Sequence, residues 1–268
     1  MSLFKKEKRK IALALGGGSA RGIANIGVLK VLEKERIPID LIVGSSIGSL
    51  VGASYSLGVP IYRIEKAALK FSWDKLADFH ISRLSILKGK KLENMIANFT
   101  DTKGFQDAQI PLAITTTDIE TGEERVHTKG NLQRLIKASC SWPGIFPPVT
   151  IEGRKLTDGG IRNSIPAKMA KRLGATKIIA VDIGFCVKKG RLNNIFQAFI
   201  QSIQILGEEL DNYQSKHADI VIKPKLHNID QFAFHRSKQA IWDGEEAARK
   251  ALPEIRKKLG LNPNSWKR

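Results

Sequence analysis

The chain has 268 residues, 42% of them hydrophobic and 26% charged, an ordinary globular composition with room for one large α/β domain or at most two small ones. Cys140 and Cys186 are its only cysteines and stand far apart, which excludes a disulfide framework or a zinc site and makes a reducing compartment, the cytoplasm, the default expectation. A formal charge of +18 favours anionic partners (phospholipid head groups, nucleic acid or an acidic protein) without choosing among them, and no apolar run approaches the about 18 residues that a bilayer-spanning helix needs.

Residues 1–9 read as a basic tail and 10–268 as a single domain. The tail and the run Ile11-Ala12-Leu13-Ala14-Leu15 imitate a signal peptide, but five apolar residues before three glycines are too few for one. That run is expected as a buried-type strand, followed by a helix over Ile23–Glu35 with apolar residues at Ile23, Ile26, Leu29 and Leu32. Ile39–Val43 is a second strand. Helices follow at Ile47–Leu57, closed by Gly58 and Pro60, and at Ile61–Leu69. The stretch from Phe71 to Phe99 is aromatic, basic and irregular before a helix at Leu92–Phe99. Leu112–Thr117 reads as a strand, Arg125–Thr128 as its return, and Leu132–Ala138 as a helix. A hairpin is expected from Val149–Ile151 and Arg154–Thr157. Beyond it come a helix (Pro166–Leu173), a strand (Lys177–Asp182), a helix (Ile195–Leu210), a strand (Asp219–Ile222) and a last helix (Ser237–Leu259). Strands separated by helices imply βαβ crossovers and a mainly parallel sheet covered on both faces.

Two glycine-bearing loops each join a strand to a helix. Gly44-Ser45-Ser46-Ile47-Gly48 fits G-x-S-x-G in the setting a nucleophile elbow requires, a sharp turn whose following helix points its positive end at the reaction centre. Packing glycines beside an N-cap serine are the plainer reading. Gly16-Gly17-Gly18-Ser19-Ala20-Arg21-Gly22 fails as a dinucleotide fingerprint, because residue 21 is Arg21 and Gly22 comes one step late. Asp40 precedes the second strand, whereas a ribose-binding acid stands at a strand's carboxyl end. A phosphate loop fails for want of glycine-lysine-serine. There remains a loop of backbone donors beside Ser46, able to serve as an oxyanion hole or simply to turn the chain.

A serine nucleophile needs a base. None of His80, His127, His217, His227 and His235 has a telling neighbourhood, although Ser46, Asp158 and a late histidine would fit the chain order of an α/β-hydrolase triad. That fold places its elbow after several strands, and here one strand precedes it. Asp158-Gly159-Gly160 is either a turn or a carboxylate held against the serine, partly desolvated so that its pKa rises.

These three elements, in this order, resemble the patatin-like phospholipase family, particularly its small bacterial members. The likeness extends to Thr117-Asp118-Ile119-Glu120-Thr121-Gly122 and to the run from Ala138 to Pro148, and covers most of residues 10–185. It implies a three-layer α/β/α sandwich and hydrolysis of fatty acyl esters through an acyl-enzyme, with Ser46 as nucleophile and Asp158 as base, no histidine, and neither metal nor organic cofactor. Gly16, Gly17 and Gly18 would supply the oxyanion hole, Arg21 would brace it, and Gly44, Gly48, Gly159 and Gly160 would support the two catalytic turns. Ser45 and Ser49 stand where relatives often carry threonine and alanine, a departure that does not touch the chemistry.

The resemblance implies a lipid ester as substrate. Phe71, Trp73, Phe79, Ile81, Leu84, Ile86 and Leu87, with Lys88, Lys90 and Lys91, form either a surface for peripheral contact with an anionic membrane or a cover over the pocket. Ile195, Phe196, Phe199, Ile200, Ile203 and Leu206 form a helical stripe expected to pack into the core. A general esterase or thioesterase on the same site is an alternative. So is a non-enzymatic basic binding protein, though no nucleic-acid-binding signature supports it and no nucleic acid is expected as a partner. The sequence sets neither lipid selectivity nor oligomeric state.

Overall fold

The computed structural model describes residues 10–185 and 193–261; the basic tail and Cys186 lie outside the described residues, as do the side chains of Trp73 and Phe196. Strand β1 (Ile11–Leu15) is buried throughout, and its alternate residues serve opposite faces. Ile11, Leu13 and Leu15 enter the larger apolar cluster, Ala12 and Ala14 a smaller one. Both faces are therefore covered, which is why the strand reads as an unbroken apolar run. A 3-10 turn (Ser19–Ile23) leads into α1 (Ala24–Lys34), followed by β2 (Leu41–Ser45), α2 (Ile47–Ser56), α3 (Ile61–Leu69) and α4 (Lys90–Thr100). Next come β3 (Leu112–Asp118), β4 (Glu124–His127), α5 (Leu132–Ser139) and the hairpin β5 (Val149–Ile151) and β6 (Arg154–Asp158). The chain continues through α6 (Gly160–Asn163), α7 (Ala167–Arg172), β7 (Lys177–Val181), α8 (Ile195–Gln214), β8 (Ile220–Ile222) and α9 (Ser237–Lys258).

The strands form one mixed sheet. β3, β2, β1, β7 and β8 run parallel, and β4, β5 and β6 join antiparallel at the β3 side. On one face α2, α1 and α9 contribute Leu50, Ile26 and Ile241 to the larger cluster; on the other, α7 lays Met169 and Ala170 on Ala14 and Ala180. The fold is a three-layer α/β/α sandwich.

Register explains how distant residues meet. Thr116 pairs with both Arg125 of β4 and Asp158 of β6, and Thr115 with both Val126 of β4 and Ser45 of β2. Since a strand has two edges, β4 occupies one, while β2 and β6 share the other. β2 and β6 run towards each other along that edge and stop at adjacent rungs, so their last residues, Ser45 and Asp158, end side by side.

Expected and observed strands and α-helices agree to within a few residues at their ends, with two exceptions, while the short 3-10 turns were not anticipated. The short α6 was not anticipated. α8 continues past Leu210 to Gln214, because its last turn is fixed by the buried polar residues Asp211 and Gln214, to which hydrophobic periodicity is blind.

Candidate active site

The loop after β2 is a strained turn. Ser46 has φ 51° and ψ −129°, a conformation in which an L-residue is held only by its surroundings. The flanking glycines make room: a Cβ on Gly44 would fall 2.5 Å from the Ser49 Cα, and one on Gly48 2.3 Å from the Leu15 carbonyl oxygen. Ser139, at the end of α5, completes the support. Its hydroxyl accepts the Ser46 N–H at 2.9 Å and donates to the Thr115 carbonyl at 2.7 Å.

The Ser46 hydroxyl donates to Asp158 Oδ2 at 2.7 Å, and the other carboxylate oxygen accepts the Gly160 N–H at 2.7 Å. Thr117 Oγ1 and the Ser141 carbonyl bind the Asp158 backbone, fixing the end of β6. Burial pushes the Asp158 carboxyl up to about 6, against the opposing effect of the bonds from Ser46 and Gly160. It is thus a stronger base than a solvated aspartate and is still ionised at neutral pH. None of the five histidines lines the cavity that holds Ser46. His127 instead binds Thr116 Oγ1 from β4, and desolvation at its half-buried position lowers its pKa.

The glycine loop lies against Ser46, with a Cβ on Gly17 falling 3.0 Å from the Ser46 Cβ. The three glycine amides are engaged differently. Gly16 N–H donates to the Val181 carbonyl and Gly17 N–H to the Ser164 carbonyl, so neither is free to bind an oxyanion. Among the described residues only the Gly18 amide of the three has no protein acceptor, and Gly18 lines the cavity beside Ser46. Arg21 is buried, and its Nη2 donates to the Ile183 carbonyl at 3.2 Å, tying the loop to the chain beyond β7. Asn25 adds a bond from Nδ2 to the Gly16 carbonyl at 3.0 Å. Asp40 is structural, its carboxylate accepting the Ile11 N–H at 2.7 Å.

Sequence reasoning missed the clamp behind this loop. Asp211 of α8 is buried and accepts from the Ser164 hydroxyl and from Phe185 N–H, the latter at 2.8 Å. Ser164 is the residue whose carbonyl holds Gly17. Gln214, one turn on, accepts Ile165 N–H at 3.0 Å and donates to the Arg162 carbonyl at 2.9 Å. The inner face of α8 therefore holds both the glycine loop and the segment following Asp158. Gln204, Asp211 and Gln214, which fall on one side of α8, were the available signal.

Ser46, Asp158 and Gly18 open into a cavity of about 360 Å³ walled mostly by apolar side chains, among them Phe71, Leu76, Met95, Phe146 and Phe199. Of the aromatic stretch, Phe71 and Leu76 line this cavity, while Phe79, Ile81, Leu84 and Ile86 are exposed. The α8 stripe is not core. Ile195, Phe199 and Leu206 are exposed, and Phe199, Ile203 and Leu206 line the cavity, because the inner side of this helix is occupied by the polar clamp.

Comparisons with known proteins identify the family and the fold. Residues 13–171 match the family model described as patatin-like phospholipase. Patatin-like phospholipase domain-containing protein 6 of Mus musculus is 37% identical over 182 residues, 65% of this chain and 13% of that protein. Lysophospholipase NTE1 of Scheffersomyces stipitis is 37% identical over 180 residues, 65% of this chain and 12% of that one. The match thus takes in only a small part of these relatives' length. Among solved structures, VipD from Legionella pneumophila superposes with a TM-score of 0.64 at 12% identity over 93% of this chain and 67% of its own, a likeness of fold. The chain belongs to the patatin-like phospholipase family.

Proposed function

We propose that the protein is a serine acyl hydrolase that cleaves fatty acyl esters of lipids, phospholipids or lysophospholipids among them, through an acyl-enzyme on a Ser46–Asp158 dyad. The observation that carries this reading is the 2.7 Å hydrogen bond from a strained, partly exposed serine to a buried carboxylate, at the end of an apolar cavity. Asp158 takes the Ser46 proton as Oγ attacks the ester carbonyl, and the Gly18 amide donates to the oxygen that becomes negative. Collapse of the tetrahedral species returns the proton to the departing alcohol. Water, deprotonated by the same carboxylate, then releases the fatty acid and regenerates the serine. Arg21, Asn25 and the Gly16 and Gly17 amides act as positioning groups that hold the glycine loop in place.

An apolar wall suits acyl chains, and the names of the relatives point to phospholipid and lysophospholipid esters. Peripheral contact with an anionic membrane is part of the proposal, supported by exposed Phe79, Ile81, Leu84 and Ile86 next to Lys88, Lys90 and Lys91. The test is a panel of phospholipids, lysophospholipids, triglyceride and acyl-CoA assayed against wild type and Ser46→Ala, with fluorophosphonate labelling in parallel. Wild type is expected to hydrolyse lipid esters and take the label, and Ser46→Ala to do neither. Activity persisting in Ser46→Ala would refute the dyad.

A further inference from the structure

A surface helix normally turns its apolar side inward and its polar side to water. The first half of α8 departs from this, with large apolar side chains exposed beside Gln197 and Ser202. Gln204 is buried, as are Asp211 and Gln214 further on, whereas Ile195 is 88%, Phe199 58% and Leu206 72% exposed. No residue from Ile195 to Leu206 carries a charge, and Glu208 and Glu209 mark where that stretch ends. Rolling the helix to hide the stripe would break the bonds of Asp211 to Ser164 and Phe185 and those of Gln214 to Arg162 and Ile165. The apolar side is held outward by construction.

Three observations identify what it meets. Phe199 and Leu206 belong at once to the exposed stripe and to the wall of the Ser46 cavity, so the stripe is continuous with that opening. Ile119 and Ile161, also exposed, form other parts of the wall, and a neighbouring groove shares Ile119 and Pro143 with it while adding Leu84, Arg83 and the ion pair of Lys155 with Glu120. An apolar rim flanked by the cation Arg83 suits an anionic lipid surface. A second copy of the chain is disfavoured, because it would bring two bodies of formal charge +18 together. Among the described residues no helix is long and apolar enough to cross a membrane, so α8 can lie on a bilayer without spanning it.

We propose that the outer face of α8 from Ile195 to Leu206 docks on the surface of an anionic lipid bilayer and turns the mouth of the Ser46 cavity towards it. The inference rests on the acyl-hydrolase reading and adds the surface through which substrate arrives.

The experiment uses Ser46→Ala protein, which leaves lipid intact, in co-sedimentation with vesicles of phosphatidylcholine containing one-third phosphatidylglycerol. Ile195→Ser combined with Ile205→Ser removes exposed apolar area without touching the cavity wall. Binding is expected to weaken about tenfold, the loss of roughly one buried aliphatic side chain. The same pair in active protein is expected to hydrolyse a water-soluble short-chain ester at close to the wild-type rate, which also reports an intact fold. If the pair does not fold, Ile195→Ser alone carries the test, with a loss of about threefold. Vesicle binding unchanged by the substitutions sinks the docking proposal alone. A dimer in solution that dissociates in the variant, with vesicle binding unaltered, assigns the face to self-association and overturns it too. Wild-type protein that fails to hydrolyse the soluble ester sinks the hydrolase reading beneath it.

Discussion

The Asp158 carboxylate is held where an ion is costly: buried, with two hydrogen bonds to stabilise its charge. The rise from an ordinary 3.8 to about 6 corresponds to about 3 kcal/mol against the charged form. Because the folded-state pKa lies above the unfolded one, this destabilisation is absent below about pH 4, grows as pH rises towards 6, and is complete above it. Asp158→Asn is therefore expected to be more stable than wild type at pH 8 by a few kcal/mol at most, and to lose that advantage at pH 4, as urea titrations at the two pH values will measure. Its turnover is expected to fall about a hundred- to ten-thousandfold, the range general-base catalysis supplies. In wild type, kcat/KM for a soluble ester is expected to rise with pH through about 6 and then level off, since the base must be ionised. A profile flat from pH 5 to 8 would separate Asp158 from proton transfer. Ser46, Asp158 and the three glycines were legible as motifs. Which glycine amide is left without a backbone acceptor was not, because Gly16 and Gly17 are drawn off by the carbonyls of Val181 and Ser164, both distant in sequence.

At the scale of elements, Ser46 and Asp158 are brought together by β3, along whose edge β2 and β6 abut. Each strand was readable from its own residues, but their shared edge is a matter of long-range register that one chain's periodicity does not encode. α8 shows the other limit. Its apolar spacing read as a core stripe, and only the buried Asp211 and Gln214 reveal that the helix faces the other way. The bond from Ser164 to Asp211 lies immediately behind Gly17, so Ser164→Ala is expected to loosen the glycine loop. A stability loss of about 1–3 kcal/mol is expected from leaving a buried carboxylate short of a donor. A positioning role predicts more: kcat for a short soluble ester falling several-fold with KM little changed, and partial recovery in Ser164→Thr, which restores the hydroxyl. A drop in melting temperature with kcat intact would make the bond purely structural.

Across the whole molecule, a net charge of +18 was the first abnormal feature of the sequence and remained ambiguous there, because composition does not say where charge lies relative to a site. The fold narrows the choice by setting an apolar rim around the cavity and the cation Arg83 beside it. A charged surface and an apolar surface respond differently to salt. Attraction to anionic head groups is worth about 1 kcal/mol per basic residue near the membrane and decays over a Debye length, which shrinks from about 10 Å at 0.1 M to about 3 Å at 1 M. Burial of the rim is not screened. Binding of the Ser46→Ala protein to mixed phosphatidylcholine and phosphatidylglycerol vesicles is therefore expected to fall steeply as sodium chloride rises from 50 to 500 mM, yet to level off above zero. Hydrolysis of a water-soluble ester by wild type is expected to stay nearly constant over the same range, since Ser46 and Asp158 interact at 2.7 Å, well inside the Debye length. A gel shift with random duplex DNA at physiological salt provides the contrast. Tight, salt-steep DNA binding together with vesicle binding that vanishes completely in salt would assign the charge to nucleic acid and leave the rim without a lipid partner.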